Sequence, residues 1–144
     1  MQIKKDQSGQ VLVEFALIAP IFIGLIFVLI ITGLWIYNSS QTSQAARIAA
    51  HYMAVTGDMS EARDKATVHL QKTMVAAEIG QVSVHQAGDI TQSVVVTRME
   101  TFVPGLKKLF NPGDGGWTGK VTITKEAQTV REYRFRNPGA FNRR

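Results

Sequence analysis

Glu14 is the residue of this chain whose setting most needs a chemical explanation. It stands just inside the N-terminal edge of an apolar run, Phe15 to Tyr37, whose 23 residues carry no charge and one aliphatic hydroxyl, Thr32. An ionised side chain costs roughly 2.5–3.5 kcal/mol at the centre of a membrane helix and less toward the interface. An acid in the first turn is also favoured by the helix dipole and can reach the headgroups, so position alone is compatible with a structural role. Gly9, five residues earlier, adds a second possibility. Cleavage between Gly9 and Gln10 would make Glu14 the fifth residue of a new chain, its backbone about 6 Å along a helix from the new amine. That amine, with a pKa of about 7.7–8.0, is mostly cationic at neutral pH. A cation and a carboxylate at the edge of lipid would pair, within one chain or between neighbours.

The other reactive side chains form no constellation. His51, His69 and His85 fall on two expected helices and a strand with no ligand spacing, and neither HxxxH nor HExxH occurs. They read as separate packing or surface histidines. Asp114-Gly115-Gly116 is a turn without the alternating acids of a calcium loop, and no glycine-rich phosphate loop follows a strand. Serines and threonines are plentiful but lack a base beside them. The chain has no cysteine, which excludes disulfides and thiolate metal sites. Neither an enzyme nor a metal or other cofactor is expected.

The elements that must position Glu14 follow from the apolar run. As a helix it spans about 34 Å, enough for a hydrocarbon core of about 30 Å. Lys4 and Lys5 precede it, and the first charge after it is Arg47. That bias puts the N-terminus in the cytoplasm and the C-terminal part outside, because long domains translocate largely regardless of charge. A cleaved secretory signal competes, with a small-x-small site at Ser43-Gln44-Ala45, but its apolar core should be only about 7–15 residues. Pro20 interrupts the helical hydrogen bonding and predicts a kink. Ala16, Pro20 and Gly24 recur at intervals of four and offer a face where another helix could approach, although small residues and proline are also simply tolerated in membrane helices. Trp35 and Tyr37 suit the interface, and Asn38 to Gln44 suits the headgroup region.

Beyond the membrane the pattern is α+β. Ala45, Ile48, Ala49, Tyr52 and Met53 share a helical face, so the first helix continues to about Val55 and stops at Gly57. Asp58 or Ser60 caps a second helix striped by Ala62, Ala66, Leu70 and Met74, which Gly80 ends. Val82 and Val84, the run Ile90 to Val103, and a run from Val121 predict a small antiparallel sheet of about three strands, packed on the outer half of the long helix. Gln86 to Asp89 is the first turn. The expected organisation is a leader 1–9, a membrane helix 10–37, an outer domain 38–136 and a basic tail 137–144. Formal charge is +5, of which Arg131 to Arg144 holds +4. No basic–aromatic nucleic-acid module is present, so direct nucleic-acid contact is not expected and the charge is a surface or partner feature. Leu109, Phe110 and Trp117, beside Lys107 and Lys108, are the candidate protein contact of the outer domain, or else close its own core.

Gly9-Gln10-Val11-Leu12-Val13-Glu14-Phe15, after a short basic leader and before an apolar run, resembles the type IV prepilin pattern. The Glu14-Phe15 pair is similar to the Flp/Tad class, and the string GQVLVEFALIAP is similar to the TadE-like pseudopilins. ARIAAHYMAVTG and the strands around VVVTRMETFVPGLKKLF and KVTITKEAQTVRE extend the resemblance over most of the chain. It implies processing by a prepilin peptidase after Gly9, with Glu14 needed for maturation or assembly. It also implies a minor-pilin role among other pilins and the inner-membrane Tad machinery, for adhesion, biofilm formation or related surface functions. The basic tail has no counterpart in that pattern. An uncleaved single-pass anchor carrying an outer binding domain is the alternative.

Overall fold

Two helices precede three strands: α1 (Gln7–Thr56), α2 (Met59–Thr73), β1 (Ala77–Ala87), β2 (Ile90–Glu100) and β3 (Lys120–Val130). This computed structural model describes residues 7–101 and 119–131. The start of the leader, the contact candidate Leu109, Phe110 and Trp117, and the tail 137–144 lie outside the described residues. Internal contacts divide the chain into two units, Met1–Gly33 and Leu34–Arg144.

The first unit is the apolar half of α1. Among its described residues most apolar side chains are exposed, Phe15 by 69% and Ile21 by 75%, whereas Ile31 is buried. Apolar surface on that scale needs a solvent other than water. Among the described residues, α1 is the helix long and apolar enough to cross a membrane. It continues through Pro20 as one helix. It also begins earlier than the apolar pattern suggests, because Gln7 to Gly9 supply its first turn, whose N–H groups have no helical partner in any case.

The second unit is built on the remainder of α1. Ala45, Ala46, Ala49, Ala50, Met53 and Ala54 are buried, so the buried stripe takes in Ala46, Ala50 and Ala54 beside the expected face, while Ile48 and Tyr52 of that face are only partly buried. Alanine permits close approach, and α2 and the sheet both use it. Gly57 ends α1 with a φ of 74° and an N–H bond of 3.0 Å to the Met53 carbonyl, the left-handed cap that glycine adopts without a Cβ penalty. Asp58 is the cap of α2: its Oδ1 accepts from the N–H groups of Ser60 (2.8 Å) and Glu61 (3.2 Å). Ala62, Ala66 and Leu70 are the buried stripe of α2, and Met74 packs partly against the same core.

α2 ends at Thr73, seven residues short of Gly80. The cause is remote in sequence. The Asn38 side chain donates from Nδ2 to the Val75 carbonyl (2.7 Å) and accepts from the Val75 N–H (3.2 Å). It thereby takes the backbone groups that a further helical turn would have used. Ala76 then adopts a φ of 51°, a left-handed conformation that costs a residue with a Cβ roughly 1–2 kcal/mol. Ala77 to Gly80 join β1 instead.

The sheet has the order β1-β2-β3, both pairs antiparallel. Gly88, at φ 62°, and Asp89 close the β1–β2 hairpin. Ser93 lies opposite Val84 and Ala127, and Thr97 opposite Ile123. This face, with Val95, Met99 and Val121, is buried, and Val84 and Val95 join the core formed by α1 and α2. A bulge between Ile79 and Gln81 leaves Gly80 unpaired, where an added Cβ would stand 3.0 Å from the Val96 carbonyl oxygen.

Candidate functional site: the N-terminal motif and a polar seam

In the first unit the motif residues occupy the opening turns of α1. Gln10 Nε2 donates to Glu14 Oε1 at 3.1 Å, the contact expected of residues four apart on a helix. Phe15 is exposed beside them. Gly9 is exposed, and a Cβ built there meets nothing within 4 Å. Nor does it have the left-handed φ that Gly57 and Gly88 require. Glycine costs a helix interior about 1 kcal/mol relative to alanine, so neither backbone geometry nor packing among the described residues calls for it. Ala16, Pro20 and Gly24 are likewise exposed, and the space beside Gly24 is open. The three share one face of α1, which is exposed among the described residues.

The second unit contains a set of polar contacts that composition did not single out. Asn38 and Thr42 are fully buried on α1 rather than solvated at the headgroups. Thr42 Oγ1 lies 2.7 Å from the Asn38 carbonyl, to which it donates, and 2.9 Å from Thr97 Oγ1. A hydroxyl has one proton, so the Thr97 hydroxyl is the donor between the two threonines. Ser93 Oγ donates to the Ala46 carbonyl. Asn38, Thr42 and Ala46 are one turn apart, so the seam runs along α1 and ties it to the α2–β1 turn and to β2. The repeat of short side chains at positions 38, 42, 45, 46 and 49 was the sequence signal for it, hidden by the polarity of its first two members.

The histidines stay apart. His51 lies on α1 with its ring edge-on to Tyr52, His69 on α2 donates from Nε2 to Gln41 Oε1 (3.2 Å), and His85 is exposed on β1. Among the described residues no group of three or more His, Asp or Glu side chains could hold a metal ion. Where β1, β2 and β3 lie side by side, Lys120 Nζ pairs with Glu100 (3.2 Å) and Glu78 (3.4 Å). Hydrogen bonds to Glu100 and then Glu78 raise the Lys120 pKa above its ordinary 10.5.

These features define a class: a membrane-anchor helix that runs on into a small α+β unit. Within that class, residues 9–51 match the sequence model of the family described as TadE-like protein. The N-terminal helix is therefore TadE-like from Gly9 to His51, under a third of the chain. No curated protein and no solved structure matches the chain.

Proposed function

We propose that the chain is a minor pilin, or pseudopilin, of the Tad (Flp) pilus system, cut by a prepilin peptidase between Gly9 and Gln10. In this reading it crosses the bacterial inner membrane once, with the leader in the cytoplasm and the α+β unit outside. After cleavage α1 docks beside other pilin helices, within the membrane and in the assembling fibre. Glu14 pairs there with the Gln10 amine of its own or a neighbouring chain, and the Ala16–Pro20–Gly24 face admits a second helix. The assembled structure would serve adhesion, biofilm formation or a related surface function. The observation that carries the reading is Gly9. The family match begins at this residue, and among the described residues nothing stands within 4 Å of a Cβ built there. A peptidase that reads the residue before the cut supplies the missing reason.

Mass spectrometry of the mature protein from a strain containing the peptidase tests this. The expected N-terminus is Gln10, and Gly9→Asp should leave the precursor intact. An intact leader on the unmodified chain would sink the proposal. The alternative, an uncleaved anchor carrying an outer binding domain, draws support from α1 starting at Gln7, which puts the Gly9–Gln10 bond inside a helical turn. Helix ends fray readily, so the two readings separate on Glu14→Ala: harmless for an anchor, disabling for assembly of a pilin.

A further inference from the structure

The apolar run does not stop at the boundary of the first unit. Leu34 to Tyr37 open the second unit, and there Ile36 and Tyr37 stay exposed. Asn38 follows directly and is buried because its amide holds both backbone groups of Val75. The α2–β1 turn is thereby held one residue beyond the end of the apolar run. It is held from its other side as well, since the Ala76 carbonyl accepts from the Glu100 N–H (3.3 Å). The Val75 side chain takes no part in this and is 48% exposed, while its neighbour Met74 packs on the core. Lys72 lies exposed in the last turn of α2, three residues earlier.

We propose that this turn is a second membrane contact, with Val75 entering the bilayer interface beside Tyr37 and Lys72 meeting the lipid phosphates. The proposal rests on α1 being a membrane span. Position along α1 selects lipid as the occupant, because the residue that holds Val75 directly follows the exposed Ile36 and Tyr37. So does polarity: the Val75 N–H and C=O are already bonded, and an apolar side chain whose backbone is satisfied enters the interface without stranding a donor or acceptor. A lysine beside it can extend its stem along the surface and place its charge among anionic headgroups. The Gly88–Asp89 hairpin, followed by the 48% exposed Ile90, stands at the other end of β1 and serves as the comparison. Two contacts restrict rocking of this unit on the bilayer, which a single helix leaves free.

Because the chain has no cysteine, one introduced thiol gives a unique labelling site. The full chain is reconstituted in phosphatidylcholine–phosphatidylglycerol vesicles with an environment-sensitive fluorophore on Val75→Cys, Gln71→Cys, Ile90→Cys or Phe22→Cys. Quenching is then read with lipids carrying a nitroxide near the headgroup or deep in the chain. Position 75 should be blue-shifted and quenched several-fold more strongly by the shallow nitroxide than position 90, and Lys72→Glu should reduce that quenching. Position 71, one turn earlier in α2, should also exceed position 90. Positions 75 and 71 both behaving like 90, with position 22 quenched by the deep nitroxide, overturns the proposal while leaving the membrane span intact. No quenching at position 22 removes the span and the proposal together. A blue shift at 75 without lipid quenching assigns the surface to a protein neighbour and also overturns it.

Discussion

Replacing Asn38 by alanine tests whether a single amide sets the end of α2. The Asn38 side chain makes two hydrogen bonds to Val75, at 2.7 and 3.2 Å, and is wholly buried. Truncation leaves the Val75 carbonyl and N–H without their partner, at about 1–3 kcal/mol for each group left unsatisfied in a buried setting. Val75 sits at the surface, so water recovers part of this, and a total of about 2–4 kcal/mol is expected. Each 1.4 kcal/mol is a factor of about ten, so protection of the slowest β2 amides should fall roughly 30- to 700-fold. Hydrogen exchange of the full chain in detergent micelles reads this, because β2 protection depends on the second unit whatever α1 does in the micelle. Asn38→Asp sharpens the test. Its carboxylate can still accept from the Val75 N–H but meets the Val75 carbonyl oxygen as a like partner, so it should cost at least as much as alanine at neutral pH. Part of the loss should return in acid, where a protonated carboxyl can donate. A change in protection below threefold for Asn38→Ala would refute the role given to the amide and leave the early end of α2 without this explanation.

Three further outcomes are expected. Thr42→Val and Thr97→Val should each destabilise the second unit, the former by about 1–3 kcal/mol because it strands the buried Thr97 hydroxyl. The double variant should cost less than their sum, and a double-mutant cycle by hydrogen exchange measures the difference, about 0.5 kcal/mol or more for groups in direct contact. Asp58→Ala should lower stability by about 1 kcal/mol through loss of the two capping bonds, read as faster exchange at Ser60 and Glu61. The Lys120 pKa is raised in the folded chain, so its stabilising contribution is fully present below the ordinary 10.5 and is lost as pH rises through the higher folded value. A shallow fall in stability above that pH, absent in Lys120→Met and weakened by salt, should appear in an alkaline melting series.

The order of elements was legible because its signals are local. Gly57 stops α1, Asp58 starts α2, and Gly88 turns the hairpin, each through a backbone preference or a side chain within three residues. The core face of the sheet was less legible. β2 carries Thr91, Ser93, Val95, Thr97 and Met99 on its buried face and Val94 and Val96 on the other. The faces are too similar in hydrophobicity for alternation to choose between them. The hydroxyls of Thr97 and Ser93 are tolerable inside because α1 supplies Thr42 and the Ala46 carbonyl as partners. The end of α2 was not legible at all from its own residues. Helical spacing ran on to Gly80, and the amide that overrules it stands 37 residues earlier.

The N-terminal motif follows the opposite logic. In the proposed reading the neighbours of Gly9, Gln10 and Glu14 are lipid, a processing enzyme and other chains. Their meaning in that reading is carried in type and spacing, and among the described residues nothing stands within 4 Å of a Cβ built at Gly9. Composition and spacing thus determined the anchor, its motif and the sequence of helices and strands. Tertiary structure decided which small polar residues are interior and where α2 gives way to β1, because a buried hydrogen bond has value only once its partner has been brought beside it from elsewhere in the chain.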